Sequence, residues 1–290
     1  MRAIFGIICS LILLSCSPYV TEPKVKYTKD GVRLTLVKSY TGNNINLIFV
    51  PGGPGIDSSY LTDLANTLNV KGSVWLLDLP DNGSNIKVGT DFNKWSDYLL
   101  NTVKEFDNVI LVGHSFGGTL ILSDPRIEKQ LKGLILLDST PELTPEVEIK
   151  EREKYNLPNS DRVMGEYLKQ PSNYVLKNVV LELIDYYFIP SFKEKGINFA
   201  NQAIYNHHSF DWAIANFFPT YKAKYIPKIP TLIMSGEFDH VLPLYVFTED
   251  KRFKSDNFKI VEIKDAGHFP WVEKPEKVKK VVEDFIASLN

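Results

Sequence analysis

The sequence predicts an α/β protein: a mostly parallel central sheet flanked by helices, with one helical cap inserted into it. Three observations carry this expectation. Short apolar runs recur along the chain, each closed by glycine, proline or aspartate. Segments of helical composition separate them on short connections, the pattern of βαβ units. The alternation stops once, from Glu142 to Tyr225, and resumes at Thr231. A chain of 290 residues can bury one sizeable core of this kind.

Taken in order, Val32 to Val37 alternates after the turn signal Asp30-Gly31, so Val25 to Tyr40 reads as an early antiparallel strand or hairpin. Ile45 to Val50 is a continuous apolar strand that ends in Pro51-Gly52-Gly53-Pro54-Gly55. Ser58 to Leu68 predicts a helix with Ser58 or Ser59 as its N-cap. Val74 to Leu79 is the next buried strand, closed by Pro80-Asp81-Asn82-Gly83-Ser84. Asp91 to Phe106 is helical, and Val109 to Val112 is a short strand bounded by glycine. Leu134 to Leu137 ends at Asp138. After the helix-forming stretch, Thr231 to Met234 and Phe258 to Ile263 restore the strand pattern, and Lys274 to Leu289 closes as an amphipathic helix. An insertion at this point covers the carboxyl edge of the sheet, where open α/β sheets bind ligands.

The first residues stand apart from the fold. Arg2 precedes the apolar run Ile4 to Leu14, which is too short to span a bilayer and reads as the h-region of a signal peptide. It ends in Leu13-Leu14-Ser15-Cys16, which resembles a bacterial lipobox with Cys16 as the lipidated first residue; the alternative is a plain secretory signal cleaved near Ser15. The chain has two cysteines, and Cys9 lies in the discarded segment, so no disulfide can form within the mature protein. Ser17, in place of the aspartate linked in some bacteria to inner-membrane retention, points outward. The expected organisation is therefore a signal peptide over 1–15, a lipidated terminus and polar tether over 16–26, a core over 27–140 and 226–290, and a cap over 141–225. The chain would be an exported lipoprotein of the cell envelope, held to the membrane by acyl chains.

A formal net charge of −2 with no concentrated basic stripe argues against nucleic-acid binding. There is no H-E-x-x-H and no C-x-x-C, so no metal and no cofactor is expected. Nothing in the sequence sets an oligomeric state.

The chemistry concentrates in four loops that follow strands. Asn108 to Thr119 reads N-V-I-L-V-G-H-S-F-G-G-T. Its small residues let the strand reverse abruptly into a helix and lift the Ser115 hydroxyl onto a tip, the physical content of a G-x-S-x-G nucleophile elbow. Gly236-Glu237-Phe238-Asp239 offers an acid, Ala266-Gly267-His268-Phe269-Pro270 a base, and Pro51 to Gly55 backbone N–H groups with few side chains in the way.

On V-G-H-S-F-G-G, G-E-F-D-H-V-L-P and D-A-G-H-F-P-W-V-E-K-P-E, in the order Ser115, Asp239, His268, the chain resembles the α/β-hydrolase superfamily across nearly its whole mature length. The Gly52–Gly55 loop and the stretch ending Gly83-Ser84 resemble the proline iminopeptidase branch, which usually has histidine where this chain has Pro51. The resemblance implies an α/β-hydrolase fold and a serine hydrolase. Ser115 would attack, His268 would take and return its proton, and Asp239 would hold the imidazole. The N–H groups of Phe116 and Gly53 would stabilise the oxyanion.

Other candidates fall away on position. His114 packs beneath the elbow, His207 and His208 lie in the cap, His240 adjoins the acid, and Glu237 is a surface group. Asp138 is the main rival acid, since some family members carry theirs at that place.

The stretch Tyr155 to Tyr225 holds 15 of the 35 aromatic residues, an excess that predicts core packing with some rings over Ser115, among them Tyr186, Tyr187, Phe188, Phe217 and Phe218. Proline iminopeptidases carry an E-x-H-Y-F-like stretch whose glutamate holds the substrate's amino terminus. Here Ile184 takes that place and Tyr186 the histidine's, while Asp185 would point elsewhere. Three readings of function follow. The first is a serine hydrolase for a small ester, thioester or amide; the second is a proline iminopeptidase acting on short peptides. The third is a surface-anchored binding protein on a hydrolase scaffold.

Overall fold

A computed structural model describes residues 19–20, 24–42 and 45–289. The expected signal peptide and lipidated Cys16 lie outside the described residues.

Among the described residues nine strands form one sheet: β1 (Tyr19–Val20), β2 (Lys24–Tyr27), β3 (Arg33–Tyr40), β4 (Ile45–Val50), β5 (Gly72–Asp78), β6 (Val109–His114), β7 (Leu131–Leu137), β8 (Thr231–Gly236) and β9 (Phe258–Ile263). The spatial order is β3-β5-β4-β6-β7-β8-β9, with β1 and β2 pairing antiparallel along β3, and β3 antiparallel to β5. From β5 to β9 every pair is parallel. The chain leaves β4 toward β5 and leaves β6 toward β7, so β4 and β6 flank the point where the strand order reverses. That is where an open α/β sheet has a crevice at its carboxyl ends.

Two of the expected boundaries moved. Lys24 to Lys26, read as tether, pair in register with Leu36 to Leu34 as part of β2. All four β2 residues are exposed, so the alternation of Lys24-Val25-Lys26-Tyr27 buries no face and the strand forms by backbone pairing at the sheet edge. The helix after β4 begins as a 3₁₀ turn, Ser58–Leu61, and its N-cap is Asp57, whose carboxylate accepts from the Ser59 N–H.

Helices α1 (Thr62–Thr67), α2 (Trp95–Val103), α3 (Phe116–Leu122) and α4 (Pro125–Glu128) connect the first strands. Between β7 and β8 the chain forms α5 (Pro145–Tyr155), α6 (Ser160–Lys169), α7 (Asn173–Glu182), α8 (Ile184–Tyr187), α9 (Lys193–Gln202) and α10 (His207–Trp212). Helix α11 (Tyr245–Glu249) joins β8 to β9, and α12 (Pro270–Glu273) and α13 (Pro275–Ala287) follow β9. The core lies in two layers. Phe49, Val112, Ile135 and Leu137 pack on one side of the sheet with Leu64 of α1 and Val278 and Val282 of α13. Val50, Leu111 and Leu136 pack on the other with Trp95 and Leu99 of α2 and Leu120 of α3. A third cluster, including Val163, Tyr167, Leu176 and Val179, belongs to the helical insertion. Among the described residues no helix is long and apolar enough to cross a membrane.

Candidate active site

Ser115 stands between β6 and α3 at φ 52° and ψ −120°, a conformation that a side chain rarely adopts without constraint. The constraint is visible on both sides. Ser115 donates its N–H to the Leu137 carbonyl at 2.9 Å, while its own carbonyl accepts from Gly118 N–H and the Ser139 hydroxyl at 3.0 Å each. The turn closes only because Gly117 lacks a side chain, since a Cβ there would run into the Val50 and Pro51 carbonyl oxygens. The loop after β4 passes beside the serine, where a Cβ on Gly52 would lie 2.8 Å from that of Ser115. Among the described residues, neither the Phe116 N–H nor the Gly53 N–H has a hydrogen-bond partner. Two free donors thus lie on the loops that meet at the serine.

Asp239 and His268 come together, both buried, with His268 Nδ1 donating to Asp239 Oδ2 at 2.9 Å. In a neutral imidazole that leaves the Nε2 lone pair free to accept a proton. Asp239 also accepts from the Val241 and Leu242 N–H groups at 2.9 Å each. Burial opposes its charge, but His268 and these backbone donors outweigh burial and hold the carboxyl below its ordinary range. The His268 main chain is fixed from two directions, donating its N–H to Tyr187 O at 2.8 Å and accepting from His114 Nε2 at 3.1 Å. Ser115 and His268 line one cavity together with Gly52 and Gly53.

Asp138, the rival acid, is not the partner of His268. Its Oδ1 accepts from Gly236 N–H at 2.9 Å and Ser235 Oγ at 3.1 Å, and Ser235 Oγ also lies 3.3 Å from Asp239 Oδ2. Asp138 Oδ2 has no partner among the described residues. Burial, with the Asp239 charge beside it, pushes the Asp138 carboxyl well above its ordinary range. These two acids and His268 are the one group among the described residues with ligand atoms close enough for a metal, within 4.8 Å of one another.

The remaining histidines fall elsewhere. His240 pairs with buried Glu151 of α5 at 2.7 Å, and His207 with Asp211 at 2.8 Å. Glu237 bonds Lys264 and the Asp265 N–H at the surface. His114 is buried under the elbow and has a positioning partner that sequence reading missed. Gly52 N–H donates to Tyr60 Oη at 2.5 Å, and Tyr60 Oη lies 2.8 Å from His114 Nδ1. The His268 carbonyl can only accept, so His114 carries its proton on Nε2 and receives the Tyr60 hydroxyl proton at Nδ1. Burial and the nearby His268 ring push His114 well below the usual imidazole range, which keeps it neutral. Glu273 was also missed. Its buried carboxylate accepts from Gly267 N–H at 2.5 Å and Ile189 N–H at 3.0 Å, tying the base loop to the insertion. Neither role shows in the sequence, because each depends on a partner far along the chain, His114 for Tyr60 and Ile189 for Glu273.

Of the aromatic residues expected over Ser115, Tyr187 and Phe188 line its cavity, and Tyr187 and Phe218 a second, adjoining one. Tyr186 instead points its hydroxyl to Glu148 and the Pro158 carbonyl, and Phe217 packs on Phe116 and Tyr221. Ile184 lines the serine cavity, while Asp185 turns away to pair with Lys193.

The model of the alpha/beta hydrolase family matches residues 47–281. The chain belongs to that family. Among its relatives, a proline iminopeptidase of Saccharolobus solfataricus is 24% identical over 278 residues, 84% of this chain and 86% of that protein. Among solved structures, a proline iminopeptidase-related protein from Thermus thermophilus aligns with a TM-score of 0.67 at 19% identity, covering 92% of this chain and 98% of that one. A thermophilic esterase from Thermogutta terrifontis aligns with a TM-score of 0.66 at 20% identity, covering 92% and 99%. At these identities the structures establish the fold of this alpha/beta hydrolase, a mostly parallel sheet flanked by helices.

Proposed function

We propose that this alpha/beta hydrolase is a serine hydrolase that cleaves a small ester, thioester or amide through an acyl-enzyme. The observation that carries the reading is that His268, paired with buried Asp239, lines the cavity of a serine held at a strained elbow. Ser115 would attack the carbonyl while His268 Nε2 accepts its proton. That proton then passes to the leaving oxygen, sulfur or nitrogen, and water repeats the sequence to release the acid. Asp239 keeps the imidazole tautomer and balances the imidazolium. The N–H groups of Phe116 and Gly53 meet the oxyanion, a contact whose loss typically costs about 3 kcal/mol of barrier.

A fluorophosphonate probe is expected to label Ser115, and Ser115→Ala is expected to abolish both labelling and ester turnover while melting like the parent. Hydrolysis retained in that variant would sink the assignment. An unlabelled, inactive wild-type protein would favour the non-catalytic binding reading.

The proline iminopeptidase relative supports a second reading, N-terminal proline release. Against it, the residues lining the serine cavity among those described include no aspartate or glutamate to hold a substrate ammonium, and Ile184 faces that cavity. Release of a prolyl anilide at rates matching acyl esters would restore it. Export and lipid attachment at Cys16 rest on the leader sequence, and intact-mass analysis of the mature protein is expected to find a diacylated or triacylated Cys16 at its N-terminus. An unmodified terminus would remove the anchor.

A further inference from the structure

Ser115 stands where two differently shaped cavities meet. The more enclosed one, about 110 Å³, runs beneath the helical insertion and is bounded by Leu176, Val179 and Val180 of α7, Ile184 of α8, and Phe199 and Ala200 of α9. The wider cleft, about 680 Å³, opens between the start of α5 and the loop after β8, and Thr140, Glu142, Thr144 and Glu148 line it. Gly53, Ser115, Tyr187, Phe210 and Val241 border both.

We infer that the enclosed compartment is the acyl site and takes a short, uncharged aliphatic chain, while the open cleft takes the alcohol, thiol or amine that leaves. The inference rests on the serine-hydrolase reading above and adds the substrate class. The order of product release assigns the sides. In an acyl-enzyme mechanism the leaving group departs first and water enters while the acyl group stays on the serine. A leaving group seated in the closed compartment would have to exit past the acyl group, whereas one seated in the cleft leaves directly to solvent. The cleft is lined largely by apolar residues too, but Thr140, Glu142, Thr144 and Glu148 give it polar groups that the enclosed compartment lacks, which suits a group that is hydrated before and after the reaction.

Volume sets the chain length. At about 110 Å³ against about 680 Å³ for the cleft, the enclosed compartment has much the smaller space and is closed at its far end by Leu176, Ile184 and Phe199, so it limits the length of the acyl chain. Chemistry sets the charge. The lining is apolar apart from Ser115, His114, His268 and tyrosine hydroxyls, and among the described residues it includes no Asp, Glu, Lys or Arg. A substrate ammonium would be desolvated there with no counter-charge.

The test is a pair of ester series on the full mature protein, with Ser115→Ala as the blank. With the alcohol fixed, kcat/KM is expected to rise about fourfold per methylene from acetyl to butanoyl and to fall at least tenfold by octanoyl. With butanoyl fixed, lengthening the alcohol from methyl to octyl is expected to change kcat/KM less than fivefold. The 2-aminobutanoyl ester, the same chain bearing an ammonium, is expected to react at least a hundredfold more slowly than butanoyl. Leu176→Ala is expected to move the acyl optimum two or three carbons longer, and Ala200→Val to move it shorter. The wild-type series stands alone if a variant fails to fold. A cut-off in the alcohol series instead, flat profiles in both, or equal use of the aminoacyl ester would overturn the assignment while leaving the serine hydrolase intact. Absence of both ester turnover and fluorophosphonate labelling would overturn the hydrolase reading and this inference with it.

Discussion

At the scale of single residues, the site is held by groups that do no chemistry themselves. The Tyr60 hydroxyl sits between the Gly52 N–H and His114 Nδ1, and His114 Nε2 reaches the His268 carbonyl, so one polar chain links the loop beside the serine, the elbow and the base loop. Tyr60 is partly buried, and stacking on Trp271 and edge contacts with Phe199 and Phe269 fix its ring. Tyr60→Phe keeps that packing and removes only the oxygen. The Gly52 N–H then lacks its acceptor, which costs about 1–3 kcal/mol for a buried donor, and the Gly52–Gly53 backbone is free to shift. Small displacements of positioned groups cost rate steeply. The expected result is roughly a tenfold loss in kcat with KM within twofold, read from steady-state kinetics on a short-chain ester. A variant that loses stability in chemical denaturation but keeps kcat would assign Tyr60 a packing role alone.

At the scale of elements, the legibility of the chain followed burial. Strands β4, β6, β7 and β8 are buried over nearly their whole length, and each contains a run of apolar residues that shows in the sequence. Strand β2 is wholly exposed and carried no such run; Lys24 to Lys26 fell in the expected tether, while Val25 to Tyr40 read as a strand or hairpin from its alternation. The loops that hold Ser115, Asp239 and His268 were legible because each pairs a glycine-bearing turn with a reactive residue directly after a strand. What the sequence could not give was reach between elements. Glu273 lies five residues past His268, yet its second bond goes to Ile189 of the insertion. His240 adjoins the acid in sequence but spends its ring on Glu151 of α5, fastening that helix to the loop that presents Asp239. The aromatic excess between Tyr155 and Tyr225 was visible, but which rings reach the cavity depends on helix orientation. Neighbours Tyr186 and Tyr187 part there, one bonding Glu148 and the other facing His268.

At the scale of the whole molecule, the two buried carboxyls beside Ser235 pull stability in opposite directions with pH. Asp239 is held below its ordinary range, so its contribution is present above about pH 4 and is lost as pH falls through its folded pKa. Asp138 is pushed well above that range by burial and by Asp239. In the unfolded chain Asp138 is ionised above about pH 4, whereas the folded protein keeps its proton to higher pH. Unfolding therefore releases a proton from Asp138 in this window, and its effect on stability grows less favourable as pH rises. Below about pH 4 it is neutral in both states and contributes no pH dependence. Asparagine at this position has nearly the same shape and cannot ionise. Asp138→Asn is thus expected to gain stability relative to the parent between pH 4 and pH 8, by about 1.4 kcal/mol for each pH unit over which the folded carboxyl stays protonated and the unfolded one does not, and so to melt at higher temperature. Melting curves of both proteins at pH 4, 6 and 8 measure the difference. A difference that stays constant across that range would show that Asp138 ionises alike in the folded and unfolded chain, and its buried, unpartnered Oδ2 would then cost the fold nothing that pH can reach.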